Sequence, residues 1–174
     1  ETIKYENNLK NTNILFKTLK NLDFNFLVTL PNFDLGSSSI REVISKNKKN
    51  KNFKVTTALG SDFASALKHC DLVLGNSSAG IIETGFYKKP TINLGNRQNG
   101  RVFGKNIINV INNKRKITKS IKFALSKKFQ KSLKSMKNPY GDGNSFNKIK
   151  SGLNFYVGIK KNILINKKFI DLKI

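Results

Sequence analysis

CDLVLGNSSAGIIETGFYKKPTINLGNRQNGR, residues 70–101, sets a short apolar run, a small-residue loop, a helically spaced segment, a second apolar run and a basic loop in succession. CDLVL (70–74) has the length and character of a buried parallel strand, and IIETGFYK carries apolar residues at helical spacing. The loop at 76–80 is therefore predicted to leave the carboxyl end of a strand and open a helix, where backbone N–H groups and the helix dipole favour an anion. Ser77 and Ser78 add hydroxyl donors, and Gly80 lets a ligand approach the backbone closely. Glu83, one turn into the helix, is an acid beside an anion site, which suits a neutral ribose diol. On local chemistry alone, Ser-Ser before a helix is equally an ordinary N-cap, with Glu83 supporting the first turn.

The second loop shifts that balance towards a ligand. PTINL (90–94) is another short apolar strand, and GNRQNGR after it is bracketed by glycines and bears Arg97 and Arg101. Two consecutive strands would each deliver a polar loop to the same edge of a parallel sheet, where ligands of open α/β folds bind. One loop offers hydroxyls and amides, the other guanidinium groups.

Outward from this stretch, strand and helix patterns alternate. Helices are predicted over 3–21, 39–49, 61–69, 118–134 and 145–157, and strands over 24–30, 53–58 and 106–110. Such alternation argues for an α/β fold, a Rossmann-like parallel sheet with helices on both faces. The last segment, KKNILINKKFIDLKI, reads as a strand-like appendage or a disordered tail. The start, ETIKYENNLK, lacks the apolar core of a secretory leader, and no run of 18 apolar residues suggests a membrane span.

The net charge of +23 would ordinarily suggest a nucleic-acid or anionic-membrane partner. Of 33 basic residues, however, only Arg41, Arg97, Arg101 and Arg115 are arginines, and asparagine is abundant throughout. That bias is the signature of an AT-rich genome, whereas base readout favours the arginine fork. The lysines are dispersed and no aromatic-interleaved basic motif occurs, so the charge reads as a solvated surface able to steer an anionic nucleotide, with no nucleic acid as partner. Two of four arginines in one loop is the more telling fact. Cys70, the lone cysteine, leads into a buried strand and reads as a core residue in a reducing, cytoplasmic compartment. His69, the lone histidine, reads as a helix-end or surface residue, and one Cys with one His excludes a Cys/His metal site.

Four ordered blocks carry a family resemblance: TLPNFDLGSSSIREVI (29–44), GNSSAGIIE (75–83), PTINLGNRQNGR (90–101) and NPYGDGNSFNKI (138–149). The chain resembles the C-terminal half of a hydrolysing UDP-N-acetylglucosamine 2-epimerase, the enzyme type that starts sialic and legionaminic acid synthesis for bacterial surface polysaccharides. Non-hydrolysing relatives typically carry Asp-Ser-Gly-Gly and Arg-x-x-Thr-Glu-Arg-Pro-Glu where this chain has Asn76-Ser77-Ser78 and Arg97-Gln98-Asn99-Gly100-Arg101. The resemblance implies one nucleotide-binding domain over 1–157 of a two-domain GT-B-like architecture, a tail of no assigned role at 158–174, and an N-terminal domain outside this chain. It implies elimination of UDP from a UDP-N-acetylhexosamine to a glycal, then addition of water to give the 2-epimer and free UDP, without metal or redox cofactor. A GDP carrier remains an alternative, and the full-length protein is expected to be a homo-oligomer.

On that reading Ser77, Ser78 and adjoining N–H groups hold phosphate oxygens, Arg97 adds charge-assisted contacts, and Glu83 takes the ribose hydroxyls. Asn32, in the turn after the first strand, faces the same edge and is either a nucleotide or sugar contact or a plain turn residue. Asp34 leans towards the turn role. Arg101 leans towards a structural or interdomain contact, with substrate binding as the alternative, and Asp142 is either a substrate contact or a residue of a glycine turn. Two other classes stay open: a GT-B glycosyltransferase domain using the same edge for a nucleotide sugar, and a basic polyanion-binding module.

Overall fold

A computed structural model describes residues 5–159. The chain divides between Tyr140 and Gly141 into two compact units. The first opens with α1 (Tyr5–Leu19), β1 (Phe26–Thr29), α2 (Ser37–Asn47) and β2 (Phe53–Thr56), and a single 3-10 turn then leads into α3 (Phe63–His69). It continues with β3 (Val73–Gly75), α4 (Ala79–Ile82), β4 (Thr91–Leu94), β5 (Ile107–Val110), α5 (Lys114–Ala124) and α6 (Lys127–Leu133). The second unit carries α7 (Ser145–Val157). The expected tail lies, from residue 160 onward, outside the described residues.

Among the described residues all strand pairing is parallel, in two ladders, β1–β2 and β3–β4–β5. Side-chain packing unites them. Phe26 and Val28 of β1, Phe53 of β2, Leu72 and Leu74 near β3, and Ile92 and Leu94 of β4 enter one core with Phe16 and Leu19 of α1, Val43 and Ile44 of α2, and Ile117, Ile121 and Ala124 of α5. Phe53 sits at the centre of an aromatic trio, its ring 5.2 Å from Phe16 and 5.3 Å from Phe26. Each aliphatic side chain so buried contributes roughly 1.5–3 kcal/mol.

β4 is buried along its whole length, which explains its unbroken apolar and small-polar sequence. Ile92 and Leu94 face the α5 side, while Thr91 faces α4. This is the α/β arrangement expected, with helices against both faces.

Two helices differ from the sequence reading. The segment expected to run helically through residue 88 stops after Ile82. Thr84 turns its hydroxyl back onto the Gly80 carbonyl (2.7 Å), and Gly85 backs directly onto Asn138, where a Cβ would stand 2.6 Å from Oδ1. Lys88 then takes a left-handed φ of 54°. The single helix expected over 118–134 is two. It begins earlier, at Lys114, capped by Asn113 Oδ1 accepting from Lys116 N, and is interrupted at Ser126, whose Oγ caps α6 by accepting from Phe129 N. The strands are shorter than read at their ends, and α2 starts two residues sooner, straight after Gly36 at φ 82°.

Candidate functional site

Val73 pairs with Thr91 and Gly75 with Asn93, so β3 and β4 end side by side and their following loops leave one edge of the ladder. Gly95, at φ 78°, makes the left-handed turn that starts the second loop. That loop folds back on the first. The Asn76 carbonyl accepts from both Arg97 Nη1 (3.2 Å) and Gln98 Nε2 (2.8 Å). Hydroxyls and guanidinium, read separately from the sequence, thus belong to one cluster.

Ser78 stands at the N-cap position of α4 with helical dihedrals and makes no side-chain cap hydrogen bond. Ser77 Oγ accepts from Ala79 N at a long 3.4 Å. The capping-box alternative needs an acid at the third helical position, which is Ile81, whereas Glu83 closes the helix at its other end. Glu83 is exposed, as are Asn76 and Ser77, and Arg97 is half-buried.

Gly80 has a packing role that the sequence did not reveal. It is buried, its N–H donates to the Ser77 carbonyl (3.1 Å), and a Cβ there would lie 3.2 Å from Thr91 Cγ2. Its lack of a side chain lets α4 lie close on β4, so it serves helix–strand packing. Beneath it, Thr91 Oγ1 donates to Thr84 Oγ1 (2.8 Å), and Asn106 Nδ2 reaches Thr84 Oγ1 (3.0 Å) and the Lys89 carbonyl (2.8 Å). This buried network anchors the segment between the two loops.

Asn32 is exposed after β1, in the other ladder, and no described hydrogen bond ties it to the Asn76–Arg97 cluster. Its loop is held by Arg41, whose Nη2 donates to the Pro31 carbonyl and whose guanidinium lies 4.1 Å from the Phe33 ring centroid. Asp34 accepts at its carbonyl from Ser37 N (3.0 Å), a turn role. Arg101 is exposed, its N–H donating to the Gln98 carbonyl (3.3 Å). In the second unit, Asp142 Oδ1 accepts from Asn144 N (3.0 Å) and from Lys148 Nζ (3.2 Å). The Asn144 N–H, then Lys148, hold its carboxyl below the ordinary carboxylate value.

His69 is exposed at the end of α3. Burial pushes the half-buried Cys70 thiol up, leaving it a poor nucleophile at neutral pH. Gln98 and Arg41 escaped the sequence reading as positioning groups. The available signals were Gln98's place between two arginines of the glycine-bracketed loop and Arg41's rarity. Gln98 is 2% exposed and its Oε1 has no described partner. An unmet buried acceptor costs about 1–3 kcal/mol, which gives its donor contact to Asn76 added weight.

A parallel α/β unit with two polar loops joined at the carboxyl edge defines a Rossmann-like domain. Residues 1–154 match the UDP-N-acetylglucosamine 2-epimerase family, and the chain belongs to it. The polysialic acid biosynthesis protein P7 of Escherichia coli is 35% identical over 119 residues, 68% of this chain and 30% of that protein. The GDP/UDP-N,N'-diacetylbacillosamine 2-epimerase (hydrolyzing) of Campylobacter jejuni is 38% identical over 109 residues, 58% of this chain and 28% of that enzyme. The crystal structure of Methanocaldococcus jannaschii UDP-GlcNAc 2-epimerase in complex with UDP-GlcNAc and UDP superposes with a TM-score of 0.66 at 24% identity, covering 86% of this chain and 41% of that one. The chain therefore spans less than half the length of these relatives. Among the described residues no helix is long and apolar enough to cross a membrane.

Proposed function

We propose that this chain is the nucleotide-binding C-terminal half of a hydrolysing UDP-N-acetylglucosamine 2-epimerase. It holds the UDP part of a UDP-N-acetylhexosamine while UDP is eliminated and water is added, giving N-acetylmannosamine or a related 2-epimer plus UDP. The observation that carries the reading is the convergence of the Ser77–Ser78 loop and the Arg97 loop on the Asn76 carbonyl. Departure of UDP builds negative charge on the diphosphate, and preorganised donors aimed at that charge stabilise it. Ser77, Ser78 and their amides take phosphate oxygens, Arg97 supplies a cation, and Glu83 accepts from the ribose diol. Asn32 and Arg101 are assigned the sugar side of the nucleotide and the interdomain contact respectively, and Asp142 a place in the turn before α7.

The hydrolysing branch is favoured by Asn76-Ser77-Ser78 and by the 97–101 loop, and relatives named as hydrolyzing occur in Campylobacter jejuni and in Legionella pneumophila. The proton transfers at the sugar are assigned to an N-terminal domain outside this chain, in a cytoplasmic homo-oligomer. The net charge of +23 draws the anionic nucleotide towards the surface.

Titration of the chain with UDP, GDP and a short DNA duplex, followed by amide NMR at low and moderate salt, tests the reading. Half a site is expected to bind on the order of millimolar, about 4 kcal/mol. Saturable shifts at Ser77, Ser78, Glu83 and Arg97 with one of the nucleotides are the expected result and name the base. Diffuse shifts with DNA that vanish with salt, and none with either nucleotide, would sink it.

A further inference from the structure

Gln98 lies in a basic surface loop, yet it is among the least exposed polar side chains described, at 2%. Its Nε2 donates to the Asn76 carbonyl at 2.8 Å, and Arg97 Nη1 reaches the same oxygen at 3.2 Å. Chemistry fixes which way the amide faces: turned over, it would set Oε1 against the Asn76 oxygen, acceptor against acceptor. A trans peptide is planar, with its C=O and the following N–H pointing in opposite directions. The contact that holds the Asn76 carbonyl towards Gln98 therefore holds the Ser77 N–H pointing away from Gln98, and Ser77 itself is exposed.

We infer that Gln98 is a positioning residue, locking the Asn76–Ser77 peptide so that the Ser77 N–H is aimed at an incoming diphosphate. The inference rests on the nucleotide reading above. Two donors on one carbonyl divide the work between them. The half-buried Arg97 can swing from this oxygen to a phosphate oxygen, because Gln98 keeps the carbonyl hydrogen-bonded and the peptide oriented when the guanidinium leaves. A lysine or serine at 98 could not do this from a buried position. The lysine would bury a charge, and the serine would fall short of the oxygen.

Two variants of the 174-residue chain, titrated with UDP beside the parent and followed by amide NMR and thermal unfolding, test the assignment. Gln98→Met keeps the length and removes the donor. It is expected to unfold cooperatively, to bind UDP about tenfold more weakly, and to lose most of the UDP-induced shift of the Ser77 amide. Gln98→Glu adds a pH signature. Burial raises a carboxyl pKa, so near pH 5 the protonated acid donates to the Asn76 oxygen, whereas near pH 8 the carboxylate repels it. Its UDP affinity relative to the parent at the same pH is expected to recover in acid and fall in base, which a space-filling role would not produce. Parent-like affinity and Ser77 shift in folded Gln98→Met overturn the role of Gln98 and leave nucleotide binding standing. Absence of UDP binding by the parent overturns both. If neither variant folds, Gln98 is a folding determinant and the positioning role falls.

Discussion

Gly80 and Thr91 touch: a Cβ built on the glycine would stand 3.2 Å from the threonine Cγ2, tighter than ordinary van der Waals contact. α4 owes its closeness to β4 to this missing side chain. Gly80→Val is expected to destabilise the chain by about 1–3 kcal/mol through overpacking. Gly80→Ala presses on Thr91 alone, so it should be better tolerated in a Thr91→Ser background, with a coupling of roughly 0.5–1 kcal/mol in a denaturant double-mutant cycle. Strict additivity would show that the contact carries no strain.

Asn106 has no exposed surface, and its amide ties Thr84 on one side to the Lys89 carbonyl on the other. Asn106→Ala removes one of the two donors to the buried Thr84 hydroxyl and the side-chain donor to the Lys89 carbonyl. The expected loss is about 2–3 kcal/mol in urea unfolding, with slower-exchanging amides of 84–91 becoming labile first. A loss under about 0.5 kcal/mol would place the network outside the stabilising structure.

Asp142 gives a pH-dependent effect in the second unit. Its carboxyl is held below the ordinary value of 3.8 by Asn144 N and Lys148, so the ionised form favours the folded turn. That contribution is present above the unfolded carboxyl pKa and is lost as pH falls through the depressed folded value. Asp142→Asn should therefore fray the start of α7 at neutral pH, and the difference from the parent should close in strong acid. Helical amide shifts over 144–148 measure it. A difference that persists unchanged into acid would show that charge plays no part.

Strand β4 was legible because a segment covered on both faces must be apolar or small throughout, and the two loops followed from its placement beside β3. What the sequence hid were features made by distant partners. Apolar spacing runs on through Phe86 and Tyr87, whereas the helix has already stopped after Ile82, with Gly85 packed against Asn138 and Lys88 left-handed. The stretch around Ser126 keeps a helical pattern, and the break there comes from a hydroxyl that caps instead of extending. Gln98 looks like any loop amide until the Asn76 carbonyl, reached from another strand, gives it a reason to be buried. Nothing in the sequence pointed to Thr91, the neighbour on which a side chain at Gly80 would press.

Ser77 and Ser78 contribute nothing to the core cluster, so their hydroxyls can be removed without touching the fold. Ser77→Ala with Ser78→Ala should leave thermal unfolding within a few degrees of the parent while weakening UDP about tenfold or more, since hydrogen bonds to charged groups are worth about 1.5–3 kcal/mol each. Isothermal or NMR titration reads the affinity. Parent-like UDP binding by the double variant rejects these hydroxyls as phosphate ligands.

Glu83 closes α4 as its C-cap residue through its backbone N–H, while its exposed carboxylate joins no described hydrogen bond or ion pair. An acid placed beside an anion site weakens anion binding unless it recovers the loss from a neutral donor. A ribose diol presents two hydroxyl donors that a carboxylate accepts together. Glu83→Gln keeps the size but lowers acceptor strength, so the preference for UDP over 2'-deoxy-UDP should shrink by several-fold, about 1 kcal/mol. The phosphate contribution should meanwhile hold or improve as a negative charge leaves the site, so affinity for 2'-deoxy-UDP should stay level or rise. Competition titrations with the two nucleotides separate the effects. If the parent chain already binds them equally, the ribose assignment is wrong, whatever the variant does.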